Sequence, residues 1–236
     1  MALALLDSMT PWKRDRWLCF MQHGGAKHVY MAHVGVGWAL ARLQRWRVSH
    51  PRLTDPLLRW LAIDGYGFHE GYFHWPKFIR QRALPKRLKG YSRRVFDQGL
   101  GRSLWFVNGA DVERIAANVS AFTDARRADL WSGVGLACAY AGGVDEASLK
   151  VLRDAAAPYR ASLAQGVCFA AKTRQRAGNL TEHTEAASRI LCGVSAAEAA
   201  AETDRALKNL PYDQELPAYE IWRQRIQARF SSEVAG

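Results

Sequence analysis

The chain has 236 residues, a formal charge of +11 and 49% apolar residues. That length supports one large domain or two small ones with a real core, and the apolar share excludes wholesale disorder. No apolar run approaches the roughly 20 residues needed to cross a bilayer, and Met1–Asp7 lacks a secretory leader, so the cytoplasm is the expected compartment.

Helix punctuation runs along the whole chain. Thr10-Pro11 and Asp55-Pro56 each put a capping side chain before a proline suited to a first helical turn. Leu57, Leu58, Leu61 and Ala62 then fall on one helical stripe, which predicts a helix ending at Ile63. Asp111 and Asp145 each precede an amphipathic run, and Asn179-x-x-Glu182 and Ser195-x-x-Glu198 read as capping boxes. Gly143, Gly178 and Gly193 sit where helices should stop. Val29–Val34 has the alternation of a strand, but Gly35, Gly37 and Ala39 fit a close-packed helix equally well.

The expected fold is all-α with about ten helices. It is either an irregular helical-hairpin (TPR-like) array or a single helical bundle. Residues 126–141 with 145–156, and 159–176 with 182–191, read as antiparallel pairs, although no clean period near 34 residues is apparent. Residues 1–120 carry 19 Lys or Arg against 8 Asp or Glu, whereas residues 121–236 carry 14 of each. The chain thus divides into a basic, aromatic half (1–120) and a neutral, alanine-rich helical-hairpin half (121–236), read as one continuous domain. Cys19, Cys138, Cys168 and Cys192 form no CxxC pair and are expected in the core.

The segment Asp64–Trp75, DGYGFHEGYFHW, holds the densest chemistry. Gly65 and Gly67 read as a flexible joint that ends the preceding helix. Glu70 and His74 are four apart and can share a face, where a carboxylate orients an imidazole for acid–base work. His69 and His74 are five apart and point about 140° from each other on a helix, so the zincin pattern is not met and no metal is assigned. The competing reading is a surface ion pair beside a packed aromatic corner. The candidate catalytic set is His69, Glu70 and His74, with Tyr66, Tyr72, Phe73 and Arg102 as substrate contacts. Arg102 follows the GxG of Gly99 and Gly101, which lacks the strand and third glycine of a dinucleotide site. His23, His28 and His33 share no face, and His50 precedes a proline in a loop; neither suggests a site.

Lys77 to Arg94 contains eight Lys or Arg and no acid. Such a run attracts an acidic partner, and Lys86, Arg87, Arg93 and Arg94 are the candidate partner contacts. No nucleic-acid module accompanies it, so nucleic acid is not the expected partner. Phe78, Ile79, Leu84 and Leu88 offer an apolar side for a membrane-surface helix, interrupted by Pro85.

The blocks DGYGFHEGYFHW (64–75), FDQGLGRSLWFVNGADVERI (96–115), RRADLWSGVGLACAYAGG (126–143) and AQGVCFAAKTRQRAGN (164–179) resemble a bacterial family of unknown function encoded beside enediyne polyketide synthases. The resemblance spans nearly the whole chain, and members of that family extend further at the front. It implies an accessory protein that acts on or binds a polyketide-derived apolar chain, with an acidic carrier protein or other pathway proteins as partners. It brings no catalytic residues. A helical-repeat scaffold for pathway proteins and a DNA-binding regulator or self-resistance protein are the alternatives.

Overall fold

The structure is a computed structural model and describes residues 1–10, 12, 15–43, 55–211, 213 and 215–231. His50 lies outside the described residues. These residues form helices and connecting turns with no strand. The helices are α1 (Ala2–Met9), α2 (Arg16–Gln22), α3 (Val29–Leu43), α4 (Trp60–Phe73), α5 (Tyr91–Val107) and α6 (Val112–Ser120), then α7 (Asp124–Ala141), α8 (Glu146–Ala155), α9 (Arg160–Ala177), α10 (Glu182–Cys192), α11 (Ala196–Leu207) and α12 (Ala218–Ser231). Val29–Val34, with its strand-like alternation, is part of α3.

Three helices begin on the capping side chains that the sequence marks. Asp111 and Asp145 accept from the backbone amides of Arg114 and Ser148, and Ser195 with Glu198 forms a complete capping box. Asp55 accepts from the amides of Leu57 and Leu58 in the turn leading to α4. Two expectations fail. Thr10 ends α1 instead of starting a helix, and Asp7 takes the capping role for α2, accepting from the amides of Arg16 and Trp17. Thr181, not Asn179, precedes α10.

Helices α3, α4, α5, α7 and α9 lie side by side in that order. They run parallel, because contact positions advance together along neighbours. Asp64 meets Gln98 while Gly71 meets Ser103, and Ser132 meets Gln165 while Tyr140 meets Arg174. The shorter α6, α8 and α10 pack on one another as a second layer. Of the two helix pairs read from the sequence, α9 does pack against α10. Helix α8 packs against α6 and α10, not as an antiparallel partner of α7.

Glycine makes the row possible. The chain has Gly35-Val-Gly37, Gly65-Tyr-Gly67, Gly99-Leu-Gly101, Gly133-Val-Gly135 and Gly166-Val-Cys168, one set in the middle of each long helix. The second glycine of each helix faces the backbone of the next helix: Gly37 on α4, Gly67 on α5, Gly101 on α7 and Gly135 on α9. The first glycine of each later helix faces back: Gly65 on α3, Gly99 on α4, Gly133 on α5 and Gly166 on α7. A Cβ at any of these positions would overlap main-chain atoms, so only glycine permits this spacing. From Gly65 the first glycine recurs after 34, 34 and 33 residues, a period the sequence reading missed. Gly65 and Gly67 are therefore not a joint. Helix α4 runs straight through them.

The row curls until its ends meet. Arg176 on α9 donates to the carbonyl of Ala26 ahead of α3 and lies over the Tyr30 ring. Helix α12 lies across the concave side. Arg223, fully buried, donates to Asp129, Glu220 and Gln165, Tyr219 meets Gln98, and Trp222 packs on Phe169. The principal core runs from Val34 to Phe230, so both compositional halves share it.

Candidate functional site

Two spaces flank α4. The first lies on the concave side under α12 and is a small apolar hollow of about 20 Å³, room for about one water. Arg102 lines it, together with Leu61, Leu136, Phe169 and Trp222. The Arg102 guanidinium is buried and donates to Asp64, which also accepts from Gln98 at 2.9 Å. Arg102 stacks over Phe68. Its Nε finds no acceptor among the described residues.

The second space is a cleft of about 470 Å³ lined by Ala41, Tyr66, Glu70, His74, Lys77, Phe78, Pro85, Lys86 and Arg87. Helix α4 supplies Tyr66 and Glu70 one turn apart, on the face away from Arg102. The helix ends at Phe73, and His74 leaves helical geometry with φ −125° and ψ 35°. That break overturns the angular argument made from the sequence, since His74 need not follow the helix step. The imidazoles converge on one carboxylate: His69 Nδ1 lies 3.2 Å from Glu70 Oε1, and His74 Nδ1 lies 3.2 Å from Glu70 Oε2. One donor atom from each of the three lies within 4.8 Å of the others, so the sequence-based assignment of no metal loses its geometric ground.

Burial grades along this trio. His69 is 2% exposed, edge-on to Trp38 and against Phe73, and its Nε2 is buried with no hydrogen-bond partner among the described residues. Glu70 is buried and His74 is exposed at the cleft. A π-helical turn, Pro76–Arg80, follows at once and drives Phe78 and Ile79 into the core, which directs Lys77 to the cleft.

The remaining candidates separate. Tyr72 and Phe73 are exposed and stack edge-on with each other, and of the two Phe73 also lies against the His69 ring. Arg93 donates to the Leu88 carbonyl. Arg94 bonds Asp129 through two nitrogens and Glu220 at 2.8 Å, so it belongs to the buried network under α12. Of the four partner contacts, only Lys86 and Arg87 line the cleft. The cleft residues Lys77, Phe78 and Pro85 are not among the site residues expected from the sequence; the break after Phe73 brings them to Glu70, and Pro76 is its local signal. The membrane-surface reading loses its apolar side, because Phe78, Ile79 and Leu88 are core residues. Cys138, Cys168 and Cys192 are buried as expected, whereas Cys19 is exposed beside His23.

No helix among the described residues is long and apolar enough to cross a membrane. Residues 1–230 match the family described as "Protein of unknown function (DUF1702)". No curated protein and no solved structure matches the chain.

Proposed function

We propose, for a chain that belongs to the DUF1702 family, that the cleft at Glu70 and His74 takes a polyketide-derived apolar chain and that the protein serves enediyne-type biosynthesis as an accessory. The observation that carries this reading is the meeting in one cleft of a carboxylate–imidazole pair, aromatic walls from Tyr66 and Phe78, and three cationic side chains. The lining is mixed: Ala41, Tyr66, Phe78 and Pro85 can contact an apolar portion of a ligand, and the ionisable side chains can fix its orientation. The cations suit a substrate that carries a carboxylate or is delivered on an acidic carrier.

The scaffold alternative rests on the helical array, since such arrays usually bind partners along a concave face. Here α12 covers that face and its polar residues are consumed inside the protein. The outward cleft is therefore the better candidate.

The test is product analysis in a producing strain carrying Glu70→Gln or His74→Ala. Product is expected to fall at least about tenfold, the effect of losing about 1.4 kcal/mol of differential interaction. Normal product from variants shown to be folded by circular dichroism would remove the assignment.

A further inference from the structure

We propose that His69, Glu70 and His74 bind one divalent first-row transition-metal ion on the floor of the cleft.

Three observations converge. One donor atom from each side chain lies within 4.8 Å of the others. Each Glu70 oxygen stands 3.2 Å from one imidazole nitrogen. That is long for a charge-assisted hydrogen bond, which closes to about 2.7–2.9 Å. It matches two donors sharing one ion, because bonds of about 2.0–2.2 Å place neighbouring ligands about 3–4 Å apart. The third observation is the fixed placement of His69: its ring is 2% exposed and held edge-on by Trp38, so Nδ1 is kept 3.2 Å from Glu70 Oε1. Nδ1 is the ligand atom of this set, and Nε2, on the far side of the ring, is not.

The donor chemistry selects the ion. Two imidazoles and one carboxylate suit Zn²⁺, Fe²⁺ or Co²⁺, whereas Mg²⁺ and Ca²⁺ prefer oxygen. Three protein ligands leave coordination positions open, and because Glu70 and His74 line the cleft those positions face it. Lys77, Lys86 and Arg87 line the same cleft and work against a bare cation. They favour an anionic group of a ligand completing the coordination, which the ion and the cations would hold together.

The site stands on three side chains alone, whatever ligand the cleft takes. The experiment uses the full chain, stripped with chelator, and titrates Co²⁺ and Zn²⁺ by calorimetry while the visible Co²⁺ bands are followed. One equivalent is expected to bind. Glu70→Gln and His74→Ala are each expected to weaken it at least about tenfold, as ligand-shell losses do. His74 is exposed, so its variant should fold, and melting curves without metal check this. His23→Ala serves as a control for the exposed Cys19–His23 pair and should leave binding unchanged. Absence of saturable uptake, or equal affinity in His74→Ala and wild type, would overturn the proposal. Loss of product in Glu70→Gln without any metal uptake would sink the ion and leave the reading of the cleft standing.

Discussion

Asp97 shows what burial does to a single carboxyl in this protein. It accepts two bonds from Arg126, yet burial outweighs them and pushes its pKa up to about 6. The folded state then retains a proton that the unfolded chain gives up near pH 4. The contribution is most favourable below about pH 4, declines as pH rises from about 4 to about 6, and is level above that. Asp97→Asn cannot titrate. The unfolding free energy of wild type minus that of Asp97→Asn, from urea melts across pH 4–8, is therefore expected to decrease through that window. A difference that stays flat or increases would show that Arg126 dominates. At the same scale, Arg94 illustrates how sequence misleads: in a run of cations it looks like a partner contact, but its guanidinium joins Asp129 and Glu220, residues 35 and 126 positions away.

Between elements, the governing device is the paired glycine contact. Each long helix presents one glycine to each neighbour, and Cys168 takes the second place in α9, where this series of glycine contacts ends. Within a helix, Gly→Ala is ordinarily worth about 1 kcal/mol in favour of alanine. At Gly133 the new Cβ would overlap the carbonyl of Gln98 and the amide of Arg102. The helices would have to separate, and overpacking of this kind costs about 1–3 kcal/mol or more. Less the gain of about 1 kcal/mol, the upper end of that range leaves a net loss of about 2 kcal/mol, so Gly133→Ala is expected to lower Tm by about 4–8 °C at about 2–4 °C per kcal/mol for this chain length. Gly24→Ala, where nothing lies within 4 Å, is expected to change little. Equal effects of the two in differential scanning calorimetry would refute the role given to the close contact.

Across the whole molecule, the excess positive charge falls in residues 1–120, and part of it lines the cleft. We propose that this face receives an acidic carrier protein. The informative variant is Lys86→Glu with Arg87→Glu. Arg94 is left alone, because a glutamate there would face Asp129 and Glu220. Affinity for the carrier is expected to drop at least about tenfold at low salt, and that of the wild type to decline as salt screens the charges. Affinity unchanged by both the variant and salt would exclude docking at this face.

Read alone, the sequence determined the all-α class and the capped starts of α6, α8 and α11. Those depend on local physics: capping side chains, apolar spacing and charge counts act over a few residues. The period of the glycines was also present in the letters, but a glycine's use is invisible until the opposing backbone is known. Tertiary structure alone decided that α4 continues past Gly65, that Arg102 turns inward, that Arg94 joins Asp129 and Glu220, and that His69 is held against the Glu70–His74 pair that the four-residue spacing suggested. Each of these outcomes is set by contacts between residues distant along the chain, which leave no mark in local composition.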